Sequence, residues 1–198
     1  MGASEHNSTA EPRMTRMRAA ALAAAYSMPD IGYAIRGDVD ERFGGFGIRI
    51  GSRVYAVLDE LAALGLVEVF DSSELWPARP KNRRGSRRAF RITARGVQAL
   101  TEYLRTPLDD SSAVSLTADV QLRLTAVPPS DTSTLRHILE MCDDALRRLI
   151  AAEEHAARAD ASLPERMHAD LVGDTLDALR EWLRGARKRL AEMEDGRG

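Results

Sequence analysis

Apolar positions recur at helical spacing through most of this chain, and the exceptions are short stretches that read as strand or loop. Met14, Met17, Ala21, Ala24 and Met28 form a stripe that predicts a first helix over residues 13–27, rich in alanine and methionine and ended by Pro29 and Asp30. A second helix is predicted over residues 31–43 through Tyr33, Ile35 and Val39, and the glycines of segment 44–47 break it. A third runs over residues 51–64, with Val54, Leu58, Leu61 and Leu64 on one face and Gly65 placed as a C-terminal stop. Residues 66–70 and 88–92 read as two strands joined by a long loop. Thr93 is placed to cap a fourth helix reaching residue 105, with Val97, Leu100 and Leu104 turned inward and Pro107 beyond its end.

Residues 107–130 read as a connector, with Pro128 and Pro129 near its end and a short helix at 116–126. Two long amphipathic helices follow, separated by a break at residues 161–164. Leu135, Leu139, Cys142, Leu146 and Leu149 mark the first at alternating steps of four and three; Val172, Leu176, Leu179, Leu183, Ala186, Leu190 and Met193 mark the second in the same way. This is heptad spacing, the sign of a coiled-coil seam rather than the wider stripe of a surface helix. Two helices alone bury little area. Leu135, Leu139, Leu146, Leu149, Leu176, Leu179, Leu183 and Leu190 are therefore expected to pack on a second copy of the chain, with an intramolecular hairpin as the alternative. The expected organisation is a disordered tail over 1–12, a small module over 13–106, the connector over 107–130 and a two-helix dimerisation region over 131–196.

Charge changes this picture most at the loop between the strands. From Leu75 to Ile92 the chain holds Arg79, Lys81, Arg83, Arg84, Arg87, Arg88 and Arg91 without an acid. The net charge of −2 hides an asymmetry: residues 1–106 carry 16 Lys and Arg against 12 Asp and Glu, and residues 107–198 carry 12 against 18. A surface that meets phosphates needs local positive charge rather than a basic whole. Three helices, a basic hairpin and a fourth helix make the plan of a winged helix-turn-helix, a mainly α (α+β) fold. In that plan the third helix enters the major groove of double-stranded DNA, and the hairpin, or wing, reaches the backbone.

The candidate contacts follow from the plan. Ser52 and Arg53 lie at the N-terminal end of the third helix, the part that meets base edges, and an arginine there suits a bidentate bond to guanine. Tyr55, one turn in, is placed either to donate its hydroxyl to a phosphate or to pack its ring on the second helix. Tyr33 has the same two roles open to it, with packing favoured. Arg79, Lys81, Arg83, Arg84, Arg87 and Arg88 are expected to neutralise phosphates from a loop that Pro77 and Pro80 stiffen and Trp76 anchors. Trp182 flanks the seam of the last helix, as core or as the lining of an effector pocket.

With these residues in view, the chain resembles the PadR family of bacterial transcriptional regulators. Ile31, Gly32, Tyr33, Ala34 and Ile35 resemble that family's second-helix motif of a hydrophobic residue followed by Gly-Tyr-Glu-Ile, with Ala34 in place of the Glu. Val54 and Tyr55, then Leu58, Leu61, Gly65, Leu66 and Val67, resemble its recognition-helix pattern. Phe90, Ile92, Thr93 and Gly96 resemble its strand-into-helix pattern Tyr-x-Leu-Thr-x-x-Gly. Where the family often has Ser-Pro-Gly-Thr before the Leu-Tyr pair, this chain has Ile50, Gly51, Ser52 and Arg53. The resemblance implies a homodimer joined through the C-terminal helices, and repression relieved by a small effector, often aromatic or phenolic.

Other classes find little support. His6, His137, His155 and His168 show no ligand spacing with Cys142 or one another, so neither a metal nor a catalytic set is expected. Cys142 falls on the seam as a small core residue, and the glycines from Gly44 to Gly51 do not make a dinucleotide fingerprint, so no cofactor is expected. There is no bilayer-length apolar run and no signal-peptide pattern, and a single cysteine fits a reducing compartment, so a cytoplasmic protein is expected. Aromatics are only 5% of residues, which leaves Leu, Ala, Val and Met to build the core. The competing expectation is a winged helix used for protein–protein contact, its basic wing on an acidic partner.

Overall fold

The computed structural model describes residues 14–72, 88–128, 130–156 and 162–196. Its elements are α1 (Arg16–Ser27), β1 (Asp30–Ile31), α2 (Gly32–Phe43), α3 (Val54–Ala63), β2 (Val67–Asp71), β3 (Arg88–Ile92), α4 (Ala94–Leu104), α5 (Ala113–Ala126), α6 (Thr132–Ala156) and α7 (Leu163–Glu194). The fold is mainly α, with a helix-turn-helix formed by α2 and α3, a β2–β3 hairpin as the wing and long C-terminal helices. The expected tail over 1–12, Trp76, Pro77, Pro80 and the loop cations Arg79, Lys81, Arg83, Arg84 and Arg87 lie outside the described residues.

Helix α1 starts at Thr15, whose hydroxyl accepts the Arg18 N–H at 3.3 Å. Every residue from Ala19 to Ala25 is buried, at 1% exposure or less. The expected one-sided stripe is therefore corrected to a helix enclosed on all sides, as a run of Ala and Leu permits. Met28 was expected on that stripe but is 48% exposed, because the chain has left the helix there, at φ −153 and ψ 104.

The hairpin strands pair antiparallel from Val67↔Ile92 to Asp71↔Arg88. A third strand, β1, pairs Asp30 with Phe90 and Ile31 with Ala89, so β3 is the middle strand in the order β1-β3-β2. Two residues are too few to show alternation, and the expected α-α-α-β-β-α order misses them. At the other end of the hairpin, Gly65 takes φ +69 and lets Leu66 N–H reach back to the Leu61 carbonyl at 2.9 Å, which stops α3. The Thr93 hydroxyl donates to the Gly65 carbonyl at 2.7 Å and accepts the Gly96 N–H at 3.0 Å, so one side chain ties the stop of α3 to the start of α4. Gly96 then lies directly on Leu66, where a Cβ would stand 2.0 Å from the Leu66 carbonyl oxygen. With α4 seated on Gly96, Leu100 and Leu104, Val97 is turned away and is 36% exposed, against the expectation that it points inward.

Helix α5 begins three residues before the expected short helix and is deeply packed, with Leu116, Val120, Leu122 and Ala126 at 3% exposure or less. Leu122 and Ala126 belong to the core around α1, whereas Leu116 and Val120 belong to a second core with α6 and α7. A buried ion pair fixes this junction: Arg123 Nη2 lies 3.0 Å from Asp119 Oδ2, at 2% and 5% side-chain exposure. The same guanidinium donates to the carbonyls of Leu104 (3.1 Å), Thr106 and Pro107 (3.0 Å), meeting the open C-terminal end of α4. Asp119 also accepts the Asp109 N–H at 3.1 Å.

Leu139, Cys142, Leu146, Leu176, Leu179, Leu183 and Leu190 are buried within the single chain, and Leu135 and Leu149 are partly buried against the same cores. Ile138 and Ala145 are buried as well, because α6 touches both α5 and α7 and needs a wider apolar face than two heptad positions. Met193 is 52% exposed in the last turn of α7. A capping box at Ser162 and Glu165 starts α7, with the Glu165 carboxylate accepting the Ser162 N–H at 2.7 Å.

Three substitutions separate these contacts in urea unfolding. Gly96→Ala forces a methyl group into the Leu66 carbonyl and is expected to cost about 1–3 kcal/mol. Gly173→Ala, in the exposed interior of α7 with nothing within 4 Å of the new Cβ, is expected to stabilise by about 0.5–1 kcal/mol. Asp119→Ala strands a buried guanidinium and is expected to cost about 3–5 kcal/mol.

Candidate nucleic-acid interface

The segment between α2 and α3 decides what the third helix presents. After α2 the chain makes a 3-10 turn at Gly44–Phe46, takes Gly47 at φ +77, and re-enters through a second 3-10 turn at Gly51–Arg53 with Gly51 at φ +51. Ile48 and Ile50 are buried at 8% and 1%, so the alternation between them turns Arg49 outward. The Ile50 N–H is held by Asp40 Oδ1 at 3.1 Å, which fixes this turn on α2. Val54, Val57, Leu58 and Leu61 form the buried face of α3. Ser52, Arg53, Tyr55, Ala56, Asp59 and Glu60 are left on the exposed face.

Helices α2 and α3 differ from their neighbours at their starts. Helices α1, α4 and α5 are capped by the side chains of Thr15, Thr93 and Ser112, and α7 by its capping box. At α2 the N-cap is Ile31 and at α3 it is Arg53; neither makes a side-chain cap bond, and neither first turn holds an acid. The nearest acid to the start of α2, Asp30, is buried at 6% and accepts the Ile31 N–H at 2.6 Å. Helix starts of this kind carry the positive end of the helix dipole without a side chain over it, although the 3-10 turn before α3 holds the Arg53 N–H on the Ile50 carbonyl at 3.1 Å. The two starts adjoin: a Cβ on Gly32 would stand 2.6 Å from Tyr55 Cε1, so the Tyr55 ring lies on the first residue of α2. The Tyr55 ring thus takes the packing role on α2, while the residue as a whole stays 42% exposed. Tyr33, for which packing was favoured, is 70% exposed, because at the first turn of α2 it stands on the side opposite Ile35 and Val39.

Arg49 was not singled out in the sequence, although its place between two isoleucines is a period-2 signal. Arg49 and Arg53 are exposed, and among the described residues no ion pair holds either one. Arg88 is different. It pairs with Asp59 on α3 and its guanidinium lies 5.4 Å from the Phe90 ring centre. Arg91 pairs across the hairpin with Glu68 at 3.3 Å, and Arg18 pairs with Glu60 at 3.0 Å. The described acids of α3 are therefore neutralised from the protein's own side.

Trp182 is partly buried against the core of α5–α7. A cleft of about 1210 Å³ lies elsewhere, between the start of α1, α4 and the segment before α5, and Arg16, Arg95, Glu102, Tyr103 and Asp109 are among its lining. Burial, and then the charge of Asp119, raise the Tyr103 hydroxyl above the ordinary tyrosine value. Burial pushes the Cys142 thiol up to about 11, with the Asp143 charge adding to it, so at neutral pH it is protonated and a poor nucleophile. Among the described residues no group of His, Cys, Asp and Glu is arranged to hold a metal ion, and no helix is long and apolar enough to cross a membrane.

Comparison with family models finds no match, and neither does comparison with curated proteins. Among solved structures the chain is similar to Bacillus subtilis PadR in a crystal structure with operator DNA, at 16% identity and a TM-score of 0.42, over 91% of this chain and 99% of that one.

The Gly32–Tyr55 contact is open to a double-mutant cycle. Gly32→Ala is expected to cost about 1–2 kcal/mol in the wild-type background, the penalty of overpacking, and less than about 0.5 kcal/mol once Tyr55→Ala has removed the ring, as measured by chemical unfolding.

Proposed function

We propose that this chain is a DNA-binding transcriptional regulator, acting as a homodimeric repressor that a small effector releases. The observation that carries the DNA reading is the pair of adjoining, uncapped helix starts at α2 and α3, ringed by Arg49, Arg53, Tyr33 and Tyr55. In helix-turn-helix docking the start of the second helix of the pair meets base edges while the first helix crosses the backbone. The start of α2, with the Tyr33 and Tyr55 hydroxyls, would then hold a phosphate, and Ser52 and Arg53 would meet bases. Arg79, Lys81, Arg83, Arg84, Arg87 and Arg88 would take the flanking backbone. The motif resemblance to PadR regulators supports the same reading.

The dimer rests on a different surface from the seam leucines, which the chain itself covers. Leu163, Met167 and Leu171 recur every four residues on α7 and are 62%, 63% and 65% exposed. A row of large apolar side chains in water favours a partner helix. A second copy there would place two α3 helices on one duplex, at successive major grooves about 34 Å apart. The effector, an aromatic or phenolic molecule, would act through α5, the helix shared by both cores; Trp182 or the cleft beside Tyr103 would receive it.

Fluorescence anisotropy with a labelled duplex from upstream of the gene, beside a random duplex, tests the reading. Wild-type protein is expected to prefer the upstream duplex and to weaken steeply with salt. Arg53→Ala is expected to lose about 1–3 kcal/mol on that duplex, and Arg49→Ala to flatten the salt slope by about one phosphate contact. Absence of binding at low salt would exclude the reading and favour the protein-contact module. For the dimer, light scattering is expected to give twice the chain mass for the wild type and a single chain mass for Met167→Glu.

A further inference from the structure

The acid on the groove-facing side of α3 is the feature the DNA reading leaves unexplained. Asp59 lies one turn beyond Tyr55 and two beyond Ser52, on the same exposed face. A carboxylate there opposes duplex phosphates, yet the structure gives it a partner from the wing. Arg88, at the first position of β3, pairs through Nη2 with Asp59 Oδ1, and the pair is half exposed, at 49% and 50% of the side chains. The Phe90 ring, 5.4 Å from the guanidinium carbon, backs the arginine from its own strand. Arg88 is thereby drawn back onto the body of the protein, whereas Arg49 and Arg53 on the same side are unpaired among the described residues.

We propose that Asp59 is an internal competitor for DNA: its carboxylate occupies Arg88 in the place of a backbone phosphate and so lowers affinity for duplexes of any sequence. The proposal rests on the DNA reading above. An exposed ion pair is weak, so the competition is a modest brake rather than a lock. Its consequence is selectivity. The phosphate contribution that is alike on every duplex is reduced, and the contacts of Ser52 and Arg53 with a preferred sequence then make up a larger share of binding.

The test is anisotropy on a labelled random-sequence duplex across a salt series. It compares full-length wild type, Asp59→Asn, Arg88→Met and the double variant, each verified as folded by circular dichroism. Asp59→Asn is expected to tighten binding about two- to fivefold and to steepen the salt dependence by about one phosphate contact. In the Arg88→Met background the same substitution is expected to bring less than half that gain and no steepening. Equal gains in both backgrounds would overturn the proposal, since Asp59 would then act only by its bulk charge. Weaker binding by Asp59→Asn would overturn it in the other direction, making the ion pair a support for the wing. If none of the four proteins binds duplex at low salt, the DNA reading itself fails, an outcome distinct from the other two.

Discussion

Everything in the N-terminal half depends on how closely other elements approach α1. Seven consecutive residues, Ala19 to Ala25, are shut off from water, and six of them are alanine. A methyl side chain lets neighbouring backbones come near on every side at once, and α2, α3, α4, α5 and β3 all do so. Larger residues in that run would overpack this core, a cost that grows with each added methylene. The enclosed helix is a fixed reference. Against it the orientations of α2 and α3, and therefore of Arg49, Arg53, Tyr33 and Tyr55, are determined.

Two further contacts refine that orientation, and each joins residues far apart in the chain. Gly32 receives the Tyr55 ring, and Gly96 receives the Leu66 carbonyl while Thr93 bonds to Gly65. The residues that carry the resemblance to PadR regulators are largely these contact-makers. Their physical role is to set helix against helix, and a motif made of such residues speaks for a fold before it speaks for a ligand. What the fold leaves exposed and without a side-chain cap is the pair of helix starts. At the other end, Arg123 bonds to three carbonyls after and at the end of α4 while paired with Asp119 on α5. Arg42 on α2 reaches the Thr125 carbonyl of α5 at 2.7 Å. A movement of α5 is therefore felt at the C-terminal ends of α2 and α4, a physical route between the two cores.

Much of the helical layout was legible because local chemistry marks it: Thr93 as a cap and Gly65 as a stop. What the sequence concealed has a common cause, namely that one-dimensional spacing does not say who covers a face. The heptads of α6 and α7 are real, but α5 and the two helices themselves use them up, and the uncovered stripe of Leu163, Met167 and Leu171 lies outside the seam that was traced. Val97 satisfied helical spacing and is exposed, because the seat of α4 is set by a glycine with no side chain to register in an apolar pattern. The run of wing cations was visible, but not that Asp59, 29 residues away, holds Arg88. The uncapped starts of α2 and α3 were equally hidden, since a missing cap is recognised only when the helix boundary is known to the residue.

In the proposed complex the starts of α2 and α3 meet the nucleic-acid backbone and bases. Hydrogen exchange read by mass spectrometry, on the protein alone and with a duplex at low salt, addresses it most directly. Slowed exchange is expected in peptides spanning residues 31–36 and 49–56, which the duplex would cover. Slowed exchange elsewhere, with those two peptides unchanged, would contradict it.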